Sequence, residues 1–205
     1  MSDTVILYHN PQSRGRIARW MLEEVGAPYE VRVIDFKTNA HKSPEFLAIN
    51  PMGKLPAISH RGVVVTECAA ICAYLADAFP EANLAPPPAE RAAYYRWLFF
   101  GAGSVEYAIV DRMLGRPAPS RPGALGYGSF DDTMRTLEGA LASGPWLLGE
   151  RFSAADVYIG SQIGFGLLMK ALEPTPTLAA YAERCRARPA AVRAAELDAA
   201  LAQAA

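Results

Sequence analysis

Two hydroxyl side chains near the start of the chain could stabilise a small anion. Tyr8 ends a short apolar run, VILY, and Ser13 lies in the turn cluster HNPQS between this run and an amphipathic stretch. The apolar residues of that stretch recur at helical steps, which predicts a helix with Ser13 as its N-cap. A hydroxyl at a helix N-terminus can hold an anion by its own hydrogen bond and by the positive end of the helix dipole.

A proline interrupts the predicted strand LPAIS. It follows Asn50-Pro51-Met52-Gly53, whose residue types are those of a type I turn. Because Pro56 cannot donate to a sheet ladder, we expect it at an edge, at a bulge or at a cis bend. Glu67 and Cys68 come after the next apolar run, VVVT, and open a further predicted helix.

These residues require a particular order of elements around them. The first part of the chain predicts strand, helix, strand, short helix, β-hairpin and helix, which is βαβαββα, and the rest predicts helices alone. The fold class is therefore an α/β N-terminal domain followed by an all-α domain. A proline-rich stretch, PEANLAPPP, marks a linker between them. The predicted domains are 1–80 and 89–205, joined by the linker 81–88, with helices over 89–115, 128–143, 154–172, 176–188 and 190–204.

The composition excludes several classes of protein. The 205 residues carry a net charge of -1, so a nucleic-acid partner, which requires a basic surface, is not expected. The three cysteines and three histidines show no metal-ligand spacing, and we expect no metal. The N-terminus lacks a signal-peptide pattern and no apolar run is long enough to span a membrane, which predicts a cytoplasmic protein without membrane partners.

The element order and four segments resemble the cytosolic glutathione transferase superfamily over nearly the whole chain. The order βαβαββα is that of the thioredoxin-like fold, and an all-helical domain behind a linker resembles these transferases. The segments are YHNPQSRGRIARWMLEEVG (8–26), NPMGKLPAI (50–58), TECAAI (66–71) and RFSAADVYIG (151–160). In the last of these, Ser153 and Asp156 have the spacing of a capping box, which is a structural feature without a catalytic role.

The resemblance implies a binding site for glutathione as co-substrate. A cis Leu55-Pro56 bond would present the Leu55 backbone to the cysteinyl unit, as an added strand is held. Glu67 would pair with the γ-glutamyl ammonium, while the γ-glutamyl carboxylate would lie at the helix N-terminus. Cys68 replaces the usual Ser or Thr, and its thiol is a weaker donor. The resemblance also places Lys42 and Lys54 near the glycyl carboxylate, although solvated surface lysines are the alternative.

Catalysis in this superfamily means holding the glutathione sulfur as a thiolate. Ser13 matches the catalytic serine of serine-type transferases, and Tyr8 resembles the donor of tyrosine-type transferases. We favour Ser13 because a donor beside a helix end combines both stabilising effects. The turn between Tyr8 and Arg16 contains no cysteine, so a mixed disulfide with glutathione at this position is excluded.

The resemblance places an apolar site for a second substrate, a small hydrophobic electrophile, in the helical domain. The alternative for an aromatic stripe on a helix is packing in the core. The family also implies a homodimer. The predicted function is glutathione transfer; the alternatives are a non-catalytic glutathione- or ligand-binding protein of the same fold, or a glutathione-dependent isomerase or dehalogenase. The candidate residues of the second site are Tyr94, Trp97, Tyr107 and Arg112.

Overall fold

The chain forms two compact units. The computed structural model describes residues 3–118 and 120–204. By its contacts the chain divides into a first unit, Met1–Asn83 with Arg188–Ala205, and a second unit, Leu84–Ala187. Among the described residues, no helix combines the length and the apolar character that crossing a membrane demands.

The first unit is built on a four-stranded mixed sheet in the order β2-β1-β3-β4. Strand β1 pairs in parallel with β2 and antiparallel with β3, and β3 forms the predicted hairpin with β4. The order βαβαββα is thereby confirmed. Its elements are β1 (Val5–His9), α1 (Gly15–Val25), β2 (Tyr29–Val33), α2 (Pro44–Leu47), β3 (Ala57–His60), β4 (Val63–Thr66) and α3 (Cys68–Ala78).

Side-chain alternation along β1 gives the central strand two buried faces. Tyr8 packs with Phe46, Leu55 and Ala57 in one apolar cluster. His9 is also buried, and because successive side chains of a strand point to opposite faces, it lies on the other side of the sheet. Helix α1 ends at Gly26, whose φ of 65° is the left-handed conformation that a glycine C-cap adopts at little cost.

The second unit consists of helices. The predicted long helix over 89–115 is interrupted by a π-helical turn, Gly101–Val105, which the sequence pattern does not predict. At Gly101 a Cβ atom would lie 2.9 Å from side-chain atoms of Tyr158 and Ile159, so a neighbouring helix packs closely there. The helices are α4 (Ala92–Phe100), α5 (Glu106–Met113), α6 (Phe130–Leu141), α7 (Ala154–Leu168) and α8 (Pro176–Arg186).

The predicted capping box at the start of α7 is present and fully buried. The Asp156 carboxylate accepts hydrogen bonds from the backbone N–H groups of Ser153 and Leu147, both at 2.9 Å. It also accepts from the hydroxyls of Ser153, at 3.0 Å, and Tyr181, at 2.9 Å. Burial raises the pKa of Asp156 even though these donors oppose the shift. One carboxylate thus ties the start of α7 to α8 and to the loop before it.

The last helix, α9 (Pro189–Ala204), packs on α1 of the first unit. The sequence analysis had assigned this segment to the all-helical domain, so the structure differs from that expectation. Buried ion pairs explain the difference. The Arg188 guanidinium donates twice to the Glu24 carboxylate of α1, at 2.6 and 2.7 Å, and Asp198 pairs with Arg19 of α1 at 3.0 Å.

Candidate functional site

Ser13 lies in a hydrogen-bonded turn that leads into α1. Its hydroxyl donates to the Asn10 carbonyl at 2.7 Å and accepts from the Gly15 N–H at 2.9 Å. The predicted N-cap assignment is wrong by one residue: the N-cap is Arg14, which makes no side-chain capping bond. The Ser13 hydroxyl thus accepts from the N–H of the first residue of α1, Gly15, and donates back to the turn that precedes the helix.

Asn10 is a functional residue that the sequence analysis missed. Its side-chain amide donates to the Ile34 carbonyl at 2.9 Å, and its side-chain oxygen accepts from the Gln12 N–H at 2.9 Å. The Asn10 side chain therefore fixes the end of β1 to the chain after β2 and shapes the turn that carries Ser13. The Asn-Pro pair in HNPQS was the available signal, because Asn commonly bonds its own backbone two residues on.

Tyr8, the second candidate donor, is 7% exposed and packs in the apolar cluster with Phe46 and Leu55. Its ring centroid lies 6.0 Å from that of Phe46, and the Arg32 guanidinium lies 5.9 Å from the Tyr8 ring. Ser13 is only half-buried. Of the two hydroxyls, Ser13 is thus the more accessible to a bound molecule.

The turn before Pro56 forms as predicted. The Gly53 N–H donates to the Asn50 carbonyl at 2.8 Å, which closes the turn. The buried Asn50 side chain also donates to the Lys54 carbonyl at 2.8 Å, and so holds the chain that enters the Leu55-Pro56 bond. That bond is cis. Since β3 begins at Ala57, the backbone of Leu55 lies outside the sheet ladder.

Both candidate lysines are exposed and lie close to the same turn. The Lys42 ammonium donates to the Met52 carbonyl at 2.9 Å. A Cβ at Gly53 would lie 2.8 Å from that ammonium, so the loop with Lys42 packs directly on the turn. Lys54 follows this turn by one residue. The structure thus brings Lys42 beside the segment that contains Lys54 and Leu55.

Glu67 has an unusual backbone at the start of α3. Its φ of 66° and ψ of 124° lie outside the regions that L-residues commonly adopt. Such conformations cost about 1–3 kcal/mol and cluster at ligand sites. The Glu67 side chain is exposed, and the first N–H groups of α3 follow it. An exposed carboxylate beside the N-terminus of a helix is suited to a ligand that carries an ammonium and a carboxylate together.

Cys68 links the start of α3 to the start of α1. Its sulfur lies 3.9 Å from the Arg14 carbonyl, so the N-termini of the two helices meet. The thiol points toward that carbonyl, and because Cys68 is buried, the thiol is not an exposed hydrogen-bond donor. Burial also raises the pKa of the Cys72 thiol well above its ordinary value, which suits a residue that fills the core.

The four residues predicted for the second substrate site differ in their surroundings. Tyr94 and Trp97 of α4 are buried in the second unit, as the core-packing alternative requires. Tyr107 of α5 is exposed, and the Arg112 guanidinium lies 4.4 Å from the Phe130 ring centroid. Only Tyr107 and Arg112 therefore remain available to contact a molecule on the surface of this unit.

Metal ligation has no support in the described parts of the chain. Within 3–118 and 120–204, no group of three or more His, Cys, Asp or Glu side chains is arranged to hold a metal ion.

Comparisons with known proteins match both parts of the chain to one family. The family profile described as "Glutathione S-transferase, N-terminal domain" matches residues 3–77, and "Glutathione S-transferase, C-terminal domain" matches residues 106–165. Glutathione S-transferase 1 of Zea mays is 30% identical over 149 residues, which are 66% of this chain and 68% of the relative.

Two solved structures share the fold at similar identity. A glutathione transferase from Methylococcus capsulatus is 31% identical with a TM-score of 0.77, over 96% of this chain and 99% of that one. A glutathione transferase family member from Pseudomonas fluorescens, solved with two glutathione bound, is 29% identical with a TM-score of 0.74, over 95% of this chain and 93% of that one. The chain therefore belongs to the glutathione S-transferase family.

Proposed function

We propose that this chain is a glutathione transferase that binds glutathione on its first unit and holds the thiol as a thiolate with the Ser13 hydroxyl. The observation that carries the proposal is the meeting of two helix N-termini, where Cys68 of α3 touches the Arg14 carbonyl at the start of α1. Ser13 stands next to this junction. A thiolate there would meet a hydroxyl donor and two positive helix ends at once.

The energy required for activation is modest. A free thiol has a pKa of about 8.5, and lowering it by two units takes roughly 2.7 kcal/mol of preference for the anion. A charge-assisted hydrogen bond contributes about 1.5–3 kcal/mol and a helix N-terminus about 0.3–1 kcal/mol. The Gly15 N–H already donates to the Ser13 oxygen, which polarises the hydroxyl toward donation.

Three segments would hold the rest of the tripeptide. The exposed Glu67 carboxylate would pair with the γ-glutamyl ammonium, and the N–H groups that open α3, including that of Cys68, would bind its carboxylate. The backbone of Leu55 would bind the cysteinyl unit by main-chain hydrogen bonds, with Pro56 ending the segment before β3. Lys42 and Lys54, on either side of the Asn50 turn, would face the glycyl carboxylate.

Relatives support glutathione as the co-substrate. The Pseudomonas fluorescens structure contains two glutathione molecules, and it shares the fold over nearly all of this chain. We propose a small hydrophobic electrophile as the second substrate, with Tyr107 and Arg112 as the accessible candidates in the helical unit. The three cysteines, all in the described part of the chain, are buried and are not joined in disulfides, which suits a reducing compartment such as the cytoplasm.

We also propose a homodimer. Helix α4 exposes two aromatic side chains one turn apart, Tyr95 and Phe99, and Phe99 is 74% exposed. Exposed aromatics of this kind are typical of protein interfaces. Sedimentation at micromolar concentration should give about twice the chain mass of 22.1 kDa. A single species at the chain mass would contradict this part of the proposal.

A paired measurement on the wild-type protein tests the main proposal. Calorimetric titration should show glutathione binding, and the same preparation should conjugate glutathione to a generic aryl halide. The ultraviolet absorbance of the bound thiolate, followed across pH, should give a pKa below that of free glutathione. Binding without turnover and without a lowered pKa would favour a non-catalytic glutathione-binding protein, and product analysis would reveal isomerisation or dehalogenation.

A further inference from the structure

A buried polar cluster lies directly behind the turn that carries Ser13. It consists of His9 at the end of β1, Arg19 of α1 and Asp198 of α9. His9 is 0% exposed, and Arg19 and Asp198 are each 3% exposed. The His9 Nε2 lies 2.6 Å from one Asp198 carboxylate oxygen, and the same oxygen lies 3.0 Å from the Arg19 guanidinium. The Asp198 carboxylate, far along the chain, therefore meets side chains of two elements near its start.

The carboxylate determines the direction of the histidine bond. Because Asp198 also accepts from Arg19, it acts as an acceptor toward His9, and the shared proton lies on Nε2. The other charged groups around the pair belong to α1 and β2. The Arg16 Nε lies 3.7 Å from the second carboxylate oxygen, and Tyr29 of β2 donates to Glu23 of α1 close by.

The opposite edge of the imidazole faces the Ser13 turn. Nδ1 of His9 is buried and has no hydrogen-bond partner among the residues that the structure describes. A Cβ at Gly15 would lie 2.2 Å from this atom and 2.9 Å from the Ser13 hydroxyl oxygen. The histidine ring and the Ser13 hydroxyl therefore both lie against Gly15, and glycine is required at residue 15 because the ring occupies the space of a side chain.

We propose that His9 is a positioning residue: held by Asp198 of the last helix, its ring supports the Ser13–Gly15 turn and fixes the direction of the Ser13 hydroxyl. The inference rests on the proposed function of Ser13. The Gly15 N–H is the donor that holds the Ser13 oxygen, so a shift of the ring would move Gly15 and with it the oxygen whose hydroxyl must turn from the Asn10 carbonyl to the sulfur. Displacements of about 1 Å at such positions can cost about a hundredfold in rate.

The first test replaces Asp198 and compares it with a matched change on the same helix pair. Asp198→Asn removes the charge that orients His9, and we expect the pKa of bound glutathione to rise by about one unit with about a tenfold loss of kcat. Arg188→Gln removes the ion pair that Arg188, directly before α9, forms with Glu24 of α1, but leaves His9 untouched. It should lower the melting temperature while the thiol pKa stays at the wild-type value. Equal pKa shifts in the two variants would overturn the proposal.

A second pair of variants keeps the buried carboxylate and so tests the idea even if Asp198→Asn unfolds. The amide N–H of His9→Gln can reach the place of Nε2 and donate to Asp198, whereas the shorter side chain of His9→Asn cannot. We expect His9→Asn to raise the thiol pKa by about one unit and His9→Gln to raise it by less, because only the longer side chain keeps the bond to Asp198. Identical values in both variants would refute an anchoring role for the Asp198 bond.

A double variant separates positioning through Ser13 from a general structural effect. If His9 acts through Ser13, Asp198→Asn should add no further pKa shift in a Ser13→Ala background, because residues that act as a unit are not additive. Additive shifts would overturn the proposal. A wild-type protein whose bound thiol has an ordinary pKa would refute the proposed function and this inference together. A lowered wild-type pKa that none of the single variants changes would refute the inference alone.

Discussion

Replacement of Ser13 by alanine is the most direct test of thiol activation, and the structure gives its expected size. A charge-assisted hydrogen bond to the thiolate contributes about 1.5–3 kcal/mol. To make it, the hydroxyl must give up its 2.7 Å bond to the Asn10 carbonyl, which offsets about 1 kcal/mol. The net loss in Ser13→Ala is therefore about 0.5–2 kcal/mol. This corresponds to a rise of about one unit in the pKa of bound glutathione and to about a tenfold loss of kcat.

The assay follows the thiolate by its ultraviolet absorbance across pH, with turnover measured on the same samples. Affinity for glutathione should change little, because the lost bond is made to the thiolate and not to the peptide. Ser13→Ala also leaves the Gly15 N–H without its acceptor, so a melting curve must show that the variant is folded at the assay temperature. Tyr8→Phe is the matched control, and its thiol pKa should equal that of the wild type.

The opposite pattern would refute the reasoning. A bound pKa that moves in Tyr8→Phe and stays constant in Ser13→Ala assigns activation to Tyr8. If the bound thiol has a lowered pKa that neither substitution changes, then the helix N-termini and backbone amides stabilise the thiolate without a side-chain hydroxyl.

Three further substitutions test other parts of the structure. Glu67→Gly removes the carboxylate and relieves a backbone strain of about 1–3 kcal/mol, so KM for glutathione should rise while the melting temperature stays constant or increases. An unchanged KM would show that Glu67 does not bind glutathione. Gly15→Ala forces a Cβ against His9 and should destabilise the fold by about 1–3 kcal/mol in urea unfolding, and a neutral effect would mean that the ring is free to move. Asp156→Ala leaves buried donors unpaired and should lower the free energy of unfolding in urea by about 3 kcal/mol or more, while the folded protein retains its affinity for glutathione. A decrease below about 1 kcal/mol would contradict the stabilising role of this carboxylate.

Local patterns were sufficient for most elements of the first unit and for one helix cap of the second. The turn at Asn50 uses residues whose own chemistry determines the backbone, and the capping box of Ser153 and Asp156 is specified by two positions three residues apart. These features could be predicted because the interactions that cause them lie close together along the chain.

Features that depend on distant contacts were not predicted. The shape of the Ser13 turn depends on the Asn10 side chain, which bonds to the Ile34 carbonyl, and the N-cap of α1 is Arg14 instead of Ser13. The π-helical turn at Gly101 forms where α7 approaches closely, and the local sequence carries no signal for it. His9 has no partner nearby in the sequence, because Asp198, which it contacts in the fold, lies far along the chain.

The position of α9 has a consequence for biosynthesis. A ribosome delivers the sheet of the first unit early, but Asp198, the buried counter-ion of Arg19, emerges only after the whole of the second unit, Leu84–Ala187, has been made. Until then Arg19 lacks this carboxylate, and the α1 surface that α9 covers is open to solvent and to chaperones. The first unit can therefore complete its fold only after the second unit has been synthesised, and a truncation before Asp198 would leave the first unit without its final layer.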